Sequence, residues 1–111
     1  MRLAIACATL VMFACPAFAQ GNPQVGQRLV EANCSRCHAV GRTGDSPLPI
    51  APPFRTLHTR YPVENLEEAL AEGIVTGHPT MPEFRLDPDQ IENLIAYLKT
   101  LERCSRKLVT A

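Results

Sequence analysis

Cys34-Ser35-Arg36-Cys37-His38 decides how the rest of the chain is read. The stretch is C-x-x-C-H, the attachment signature of c-type haem. Two thiols two residues apart can each add to one vinyl group of a haem, and the histidine beside the second thiol reaches the iron from one face. The spacing keeps all three side chains within about one turn of backbone. Two other chemistries use C-x-x-C. Redox disulfides do, but they sit near βαβ patterns, and no strand–helix–strand pattern is present. Half of a zinc site also fits, with His58 or His78 as further ligands. Structural zinc sites, however, show a second paired cluster, and the sequence has none.

Upstream of the motif, Arg2, an apolar run over 3–13 and the small-x-small triplet Ala17-Phe18-Ala19 read as an export signal cleaved after Ala19. The run is too short to span a bilayer comfortably. Cys15 offers a lipoprotein alternative, but Met12-Phe13-Ala14 matches the usual Leu-small-small approach poorly. The expected organisation is therefore a signal peptide over residues 1–19 and one small domain over 20–111. Export implies an oxidising compartment. Cleavage leaves Cys34, Cys37 and Cys104. With the first two holding haem, Cys104 is a spare: a free thiol, half of an intermolecular bridge, or simply a small hydrophobe.

A chain this short buries little apolar surface and is marginal alone. Aromatic residues are few and tryptophan is absent, so a covalently held haem would supply missing apolar bulk. Formal net charge is zero, and nothing points to nucleic acid. The charges are segregated. Arginines at 28, 36, 42, 55 and 60 precede acidic residues at 64, 67, 68, 72, 83, 87, 89 and 92. Such a field either steers a partner or reflects ordinary solvated helix faces.

Three helices are legible. The first follows Asn22-Pro23, an N-cap with proline at the first helical position, and Val25, Leu29 and Ala32 give it an apolar face. The second covers about 63–72, with Leu66, Ala69 and Leu70 inside, a capping box between Asn65 and Glu68, and Gly73 as its stop. In the third, Asp87 is the N-cap, Pro88 opens the helix and Gln90 completes a capping box. Ile91, Leu94, Ile95, Leu98 and Leu101 then follow helical spacing beside Tyr97, and Arg103, Arg106 and Lys107 suit the negative end of the helix dipole. The fold class is all-α. Two irregular stretches, 41–53 and 77–85, separate the helices, and a long loop in a small domain is usually functional.

Downstream of the signal, Met81 is the one methionine, in His78-Pro79-Thr80-Met81-Pro82-Glu83-Phe84. Prolines stiffen the backbone around it, which lowers the entropy lost when a weak thioether ligand is held on iron. The alternative is a methionine that fills the core.

On Gly26, Cys34-Ser35-Arg36-Cys37-His38, Ala51-Pro52-Pro53-Phe54, Met81-Pro82-Glu83-Phe84 and Leu94-Ile95-Ala96-Tyr97-Leu98, the mature chain resembles the class I c-type cytochromes, in particular the small bacterial periplasmic ones. The resemblance implies a small helical bundle around one covalent haem c on Cys34 and Cys37, with iron bound by His38 and Met81. It implies a carbonyl, best matched by Pro52 and next by Pro53, that accepts the outer-nitrogen proton of His38. It implies a close crossing of first and last helices permitted by Gly26 and filled by Tyr97. Val30 departs from it, since many members carry an aromatic in the first helix. The function implied is single-electron carriage between redox proteins in transient complexes, by a periplasmic monomer without a transmembrane anchor. Arg55, Arg60 and Tyr61 are candidates for the haem propionates, and His78 is the fallback axial ligand. Rival readings are a haem-bearing subunit of a periplasmic dehydrogenase, or a five-coordinate haem enzyme or gas sensor in which Met81 swings away.

Overall fold

Asn22 starts the first helix as its sequence neighbours require. Its side-chain oxygen accepts from the backbone N–H of Gln24 at 2.9 Å and of Val25 at 3.2 Å, and Pro23 occupies a position whose missing N–H costs nothing. In this computed structural model, which describes residues 20–73 and 80–110, helix α1 spans Pro23–Asn33, α2 Leu66–Glu72 and α3 Pro88–Thr110. Two 3-10 helices, Phe54–Thr59 and Val63–Asn65, lie between α1 and α2, and the described residues contain no strand. The expected export signal over residues 1–19, with Cys7, Cys15 and the expected cleavage after Ala19, lies outside the described residues, as do His78 and Pro79.

The organising contact is the crossing of α1 and α3. Gly26 is buried, and a Cβ built there would overlap the Asn93 carbonyl and stand 3.0 Å from the Tyr97 Cβ. Only a hydrogen at that position lets the two backbones touch. The Asn22 N–H donates to the Asn93 side chain at 2.6 Å, latching the same crossing from outside. Tyr97 is buried, and its hydroxyl donates to the Val40 carbonyl at 2.6 Å, as a buried phenol requires. Burial, then Glu31, push this phenol above its usual range, with Arg42 opposing. It therefore stays protonated, and donating, through the neutral range.

This crossing also turns α1 differently from the expectation. The inward residues are Gly26 and Val30, with Leu29 half-buried. Val25 is 37% exposed and Ala32 is exposed, so the Val25/Leu29/Ala32 face is corrected. An apolar stripe marks a face only coarsely, whereas backbone contact at Gly26 sets the rotation. Val30 is 0% exposed and packs in the core with Leu57, Val63, Leu70, Leu94, Leu98 and Leu101.

The second helix is corrected as well. Residues 63–65 form a 3-10 turn before α2 begins, and Asn65 has helical dihedrals with no side-chain cap bond. Its N–H closes on the Pro62 carbonyl at 3.0 Å, so Asn65 is not in the extended geometry that a capping box with Glu68 needs. Gly73 does end α2, at φ +99. On α3, Gln90 reaches back to the Asp87 N–H at 3.0 Å, the glutamine arm of the capping box. Lys99 on α3 pairs with Glu64 at 2.7 Å and draws that carboxyl below its usual range. The pair is exposed and contributes little.

Beyond Leu101 the helix runs on past the body, with Leu108 81% and Val109 85% exposed. Cys104 sits on this part of α3, half-buried and unbonded. Cys104→Ser is expected to leave haem content, visible spectrum and helix content unchanged, since a hydroxyl replaces a partly exposed thiol at little cost. Loss of haem incorporation in that variant, read from the absorbance of purified protein, would contradict it.

Candidate functional site

The C-x-x-C-H stretch is an extension of α1. Cys34 caps the helix, its N–H donating to the Val30 carbonyl at 2.8 Å. The Cys34 carbonyl then accepts from Cys37 N–H at 3.2 Å and His38 N–H at 3.0 Å, one tight turn that gathers both thiols and the imidazole. Neither thiol is in a disulfide. Burial pushes the Cys34 thiol up to about 11, so it is neutral at physiological pH.

The loop that follows folds back over this turn. Leu48 N–H donates to the Cys37 carbonyl at 3.1 Å, Phe54 N–H to the Ala39 carbonyl at 2.9 Å, and Ala39 N–H to the Ser46 hydroxyl at 3.0 Å. These bonds carry Pro52 to the histidine of the motif. Its carbonyl lies 2.8 Å from His38 Nδ1, and His38 is buried, 8% exposed. The Phe54 ring stands against the imidazole with centroids 5.0 Å apart. Arg55 is committed elsewhere. Its guanidinium donates to the Gly44 carbonyl at 2.7 Å and braces the loop. Arg60 and Tyr61 are the propionate candidates that do line the site. Burial raises the Tyr61 phenol, with Arg60 opposing.

Two cavities open beside the motif. One, of about 260 Å³, is walled by Leu29, Cys34, His38, Ile50, Pro52, Phe54, Leu57, Leu66, Leu70, Met81, Phe84, Leu86, Leu94 and Leu98, with Asn33, Arg60 and Tyr61. The other, of about 290 Å³, reaches Arg36, Cys37, Leu48, Thr80 and Pro82. Asn33, Cys34, His38, Met81 and Phe84 line both, so the two are halves of one slot. Sequence reasoning placed Cys34, Cys37, His38, Pro52 and Met81 here. It missed most of the apolar wall: Leu57 and Ile50, Phe84 and Leu86, and the inward leucines of α2 and α3. Each of these is an unremarkable core residue in isolation, and only the fold assembles them.

The slot fits a flat apolar macrocycle. Its walls are hydrocarbon, two thiols stand free at one edge, and a buried imidazole is tethered through Nδ1. Zinc fits less well. Among the described residues no group of three or more His, Cys, Asp or Glu side chains is arranged to hold a metal ion by itself, and His58 lines neither half of the slot. A redox disulfide lacks its βαβ setting among the described residues. Also among them, no helix is long and apolar enough to cross a membrane.

Comparison with known proteins places the chain in a family. Residues 24–102 match the family described as cytochrome c. The chain is 36% identical over 97 residues to cytochrome c6 of Picosynechococcus sp., covering 82% of each chain. It is 31% identical over 85 residues to cytochrome c6 of Bryopsis maxima, covering 70% of this chain and 90% of that one. It is 29% identical over 83 residues to a cytochrome c-553-like protein of Synechocystis sp., covering 74% and 71%. The chain therefore belongs to the cytochrome c family, and is an all-α electron carrier rather than an enzyme, with haem c held covalently by Cys34 and Cys37.

Proposed function

We propose that this chain carries single electrons on a haem whose axial ligands are His38 and Met81. The observation that carries the reading is the 2.8 Å contact between His38 Nδ1 and the Pro52 carbonyl. With the proton held on Nδ1, the lone pair stands on Nε2, the nitrogen that a metal takes, and the hydrogen bond raises its basicity. The ring also becomes fixed in direction, so little reorganisation accompanies a change of iron charge.

Met81 supports the second half of the reading. It lines both halves of the slot with His38 and Cys34, and Pro82 stiffens its loop. When bound, the haem supplies a one-electron couple between ferric and ferrous iron. The protein's part is to keep two ligands in place, to exclude water with leucine and phenylalanine walls, and to favour the less charged state through the thioether and the apolar lining. With both axial positions filled, no place is left for a substrate. Exchange then occurs by brief docking to donor and acceptor proteins through a small interface. Residues 1–19 act as a signal peptide cleaved after Ala19, delivering a monomeric domain of residues 20–111 to the periplasm. Pro52 serves as the orienting acceptor and belongs to the haem-binding set with Cys34, Cys37, His38 and Met81.

Replacing Met81 tests this. The wild-type ferric protein is expected to be low-spin with a methionine-to-iron charge-transfer band. Met81→Ala should keep haem attached, lose that band, and change potential on the order of 0.1 V or more, within the roughly 0.8 V that axial ligation commands. An unchanged spectrum assigns the sixth position to another residue. A high-spin wild type that binds carbon monoxide as isolated indicates the five-coordinate enzyme or sensor instead.

A further inference from the structure

A thioether binds iron weakly, so the position of Met81 must be imposed by the chain around it. Residues 82–87 have no regular secondary structure. Phe84 and Leu86 pack against the core, Asp87 is tied to Gln90 of α3, and the polar anchors nearest Met81 are on α2. The Arg85 guanidinium donates to the Glu72 carbonyl at 2.9 Å, and the Leu86 N–H donates to the Leu70 carbonyl at 2.9 Å. The Glu83 carboxylate lies against Gly73, so closely that any Cβ at 73 would overlap it. Three residues of the segment thus meet three at the end of one short helix.

The chemistry of that end explains the fit. The last carbonyls of a helix have no partner within it, and α2 is only seven residues long, so most of its carbonyls need outside donors. A guanidinium there makes a charge-assisted bond and also meets the negative end of the helix dipole. Gly73 lies at φ +99, a conformation that side chains rarely adopt, and the bare Cα leaves room for Glu83. The segment alternates. Phe84 and Leu86 line the slot, while Glu83 and Arg85 are exposed and face the end of α2.

We infer that Arg85 is a positioning residue for Met81: its bond to the Glu72 carbonyl, with the Gly73–Glu83 contact beside it, clasps the methionine segment to α2 and keeps the thioether on the iron. This rests on Met81 being the sixth ligand. The clasp touches neither haem nor iron. It acts through four residues of backbone, and its loss frees the segment without unfolding the helices, a local opening rather than a global one.

The experiment uses the mature holoprotein as wild type, Arg85→Ala, Arg85→Lys and Gly73→Ala. The charge-transfer band and far-UV circular dichroism are followed on heating, with carbon monoxide binding to the ferrous form. In Arg85→Ala the band is expected to disappear well below the loss of helix signal, and carbon monoxide to bind about tenfold faster, the factor that one charge-assisted hydrogen bond commands. Arg85→Lys should recover part of the effect, keeping charge at the helix end without the fork. Gly73→Ala, strained at φ +99 next to the Glu72 carbonyl, should loosen the Arg85 bond and repeat the Arg85→Ala behaviour, and it carries the test if Arg85→Ala does not fold. Band loss and carbon monoxide rates at wild-type values in the folded variants overturn the clasp. So does band loss that tracks helix loss in every variant, which marks a merely structural role. A wild type lacking the band overturns the ligation itself and the clasp with it, a result distinguishable because it appears before any substitution is made.

Discussion

A chain with both Cys34 and Cys37 replaced by alanine is expected to lose its haem on purification and most of its helix with it. The haem is held by two thioether bonds, and the pocket is part of the core. The half of the slot walled by Leu57, Leu66 and Leu70 is about 260 Å³, and at about 24 cal/mol per Å³ an empty apolar space of that size corresponds to roughly 6 kcal/mol. That is comparable to the whole stability of a small domain, about 5–15 kcal/mol. The α1–α3 crossing alone does not offset it, because Leu57, Leu66, Leu70, Phe84 and Leu86 would lose their common partner. Water entering the mouth relieves some of the cost but wets the same leucines. Far-UV circular dichroism of the purified double variant, beside pyridine haemochrome quantification, reads both losses together. A colourless protein with wild-type helix content would show that the polypeptide core is self-sufficient. Single replacements should do less, since one thioether still tethers the group.

The site's chemistry is local in sequence, while its walls are not. Cys34, Cys37 and His38 fall within one turn, so their spacing is legible without a fold. Met81 stands out because downstream of residue 19 it has no competitor of its kind. Pro52 is reached differently. Nothing about its own neighbourhood says that its carbonyl will meet a histidine fourteen residues earlier, and only the family resemblance nominated it. The meeting depends on Ser46, Leu48 and Phe54 pinning the loop to residues 37–39, bonds that carry no signature in composition or period.

Helix ends were similarly legible where side chains cap locally. Asn22-Pro23 and Gln90 work within three residues of themselves, and both are found doing so. The 3-10 helix over 54–59 had no such signal, because six residues do not establish a period. Arg55 shows the same limit from the other direction. A lone arginine near a haem motif is a reasonable partner for a carboxylate, but the loop geometry spends it on the Gly44 carbonyl. Faces of short helices are the weakest reading of all. On α1, two stripes one residue apart both contain aliphatic side chains, and a backbone contact selects between them.

That contact supports the second large effect. Gly26→Ala is expected to destabilise the holoprotein, against the ordinary trend. In an exposed helix interior alanine is favoured over glycine by about 1 kcal/mol. Here the new methyl overlaps the Asn93 carbonyl and crowds the Tyr97 Cβ at 3.0 Å, and a backbone carbonyl cannot rotate away as a side chain can. The helices must part instead. Overpacking of this kind costs about 1–3 kcal/mol and sometimes more. Separation also strains the Asn22–Asn93 latch and the Tyr97–Val40 bond, each worth about 1 kcal/mol. The penalty therefore exceeds the helix-propensity gain, and Gly26→Ala should lose about 2 kcal/mol. Gly26→Val, with more volume at the same point, should lose about 4 kcal/mol or fail to fold. Gly41 is the internal control, because a Cβ there meets nothing within 4 Å and its φ is not in the left-handed region. Gly41→Ala should stay within about 0.5 kcal/mol of wild type. Urea unfolding of the ferric holoproteins, followed by circular dichroism, ranks all of them. A Gly26→Ala protein as stable as wild type would mean that α1 and α3 do not touch through this glycine. The Tyr97 bond that holds Val40, two residues beyond His38, would then need another explanation.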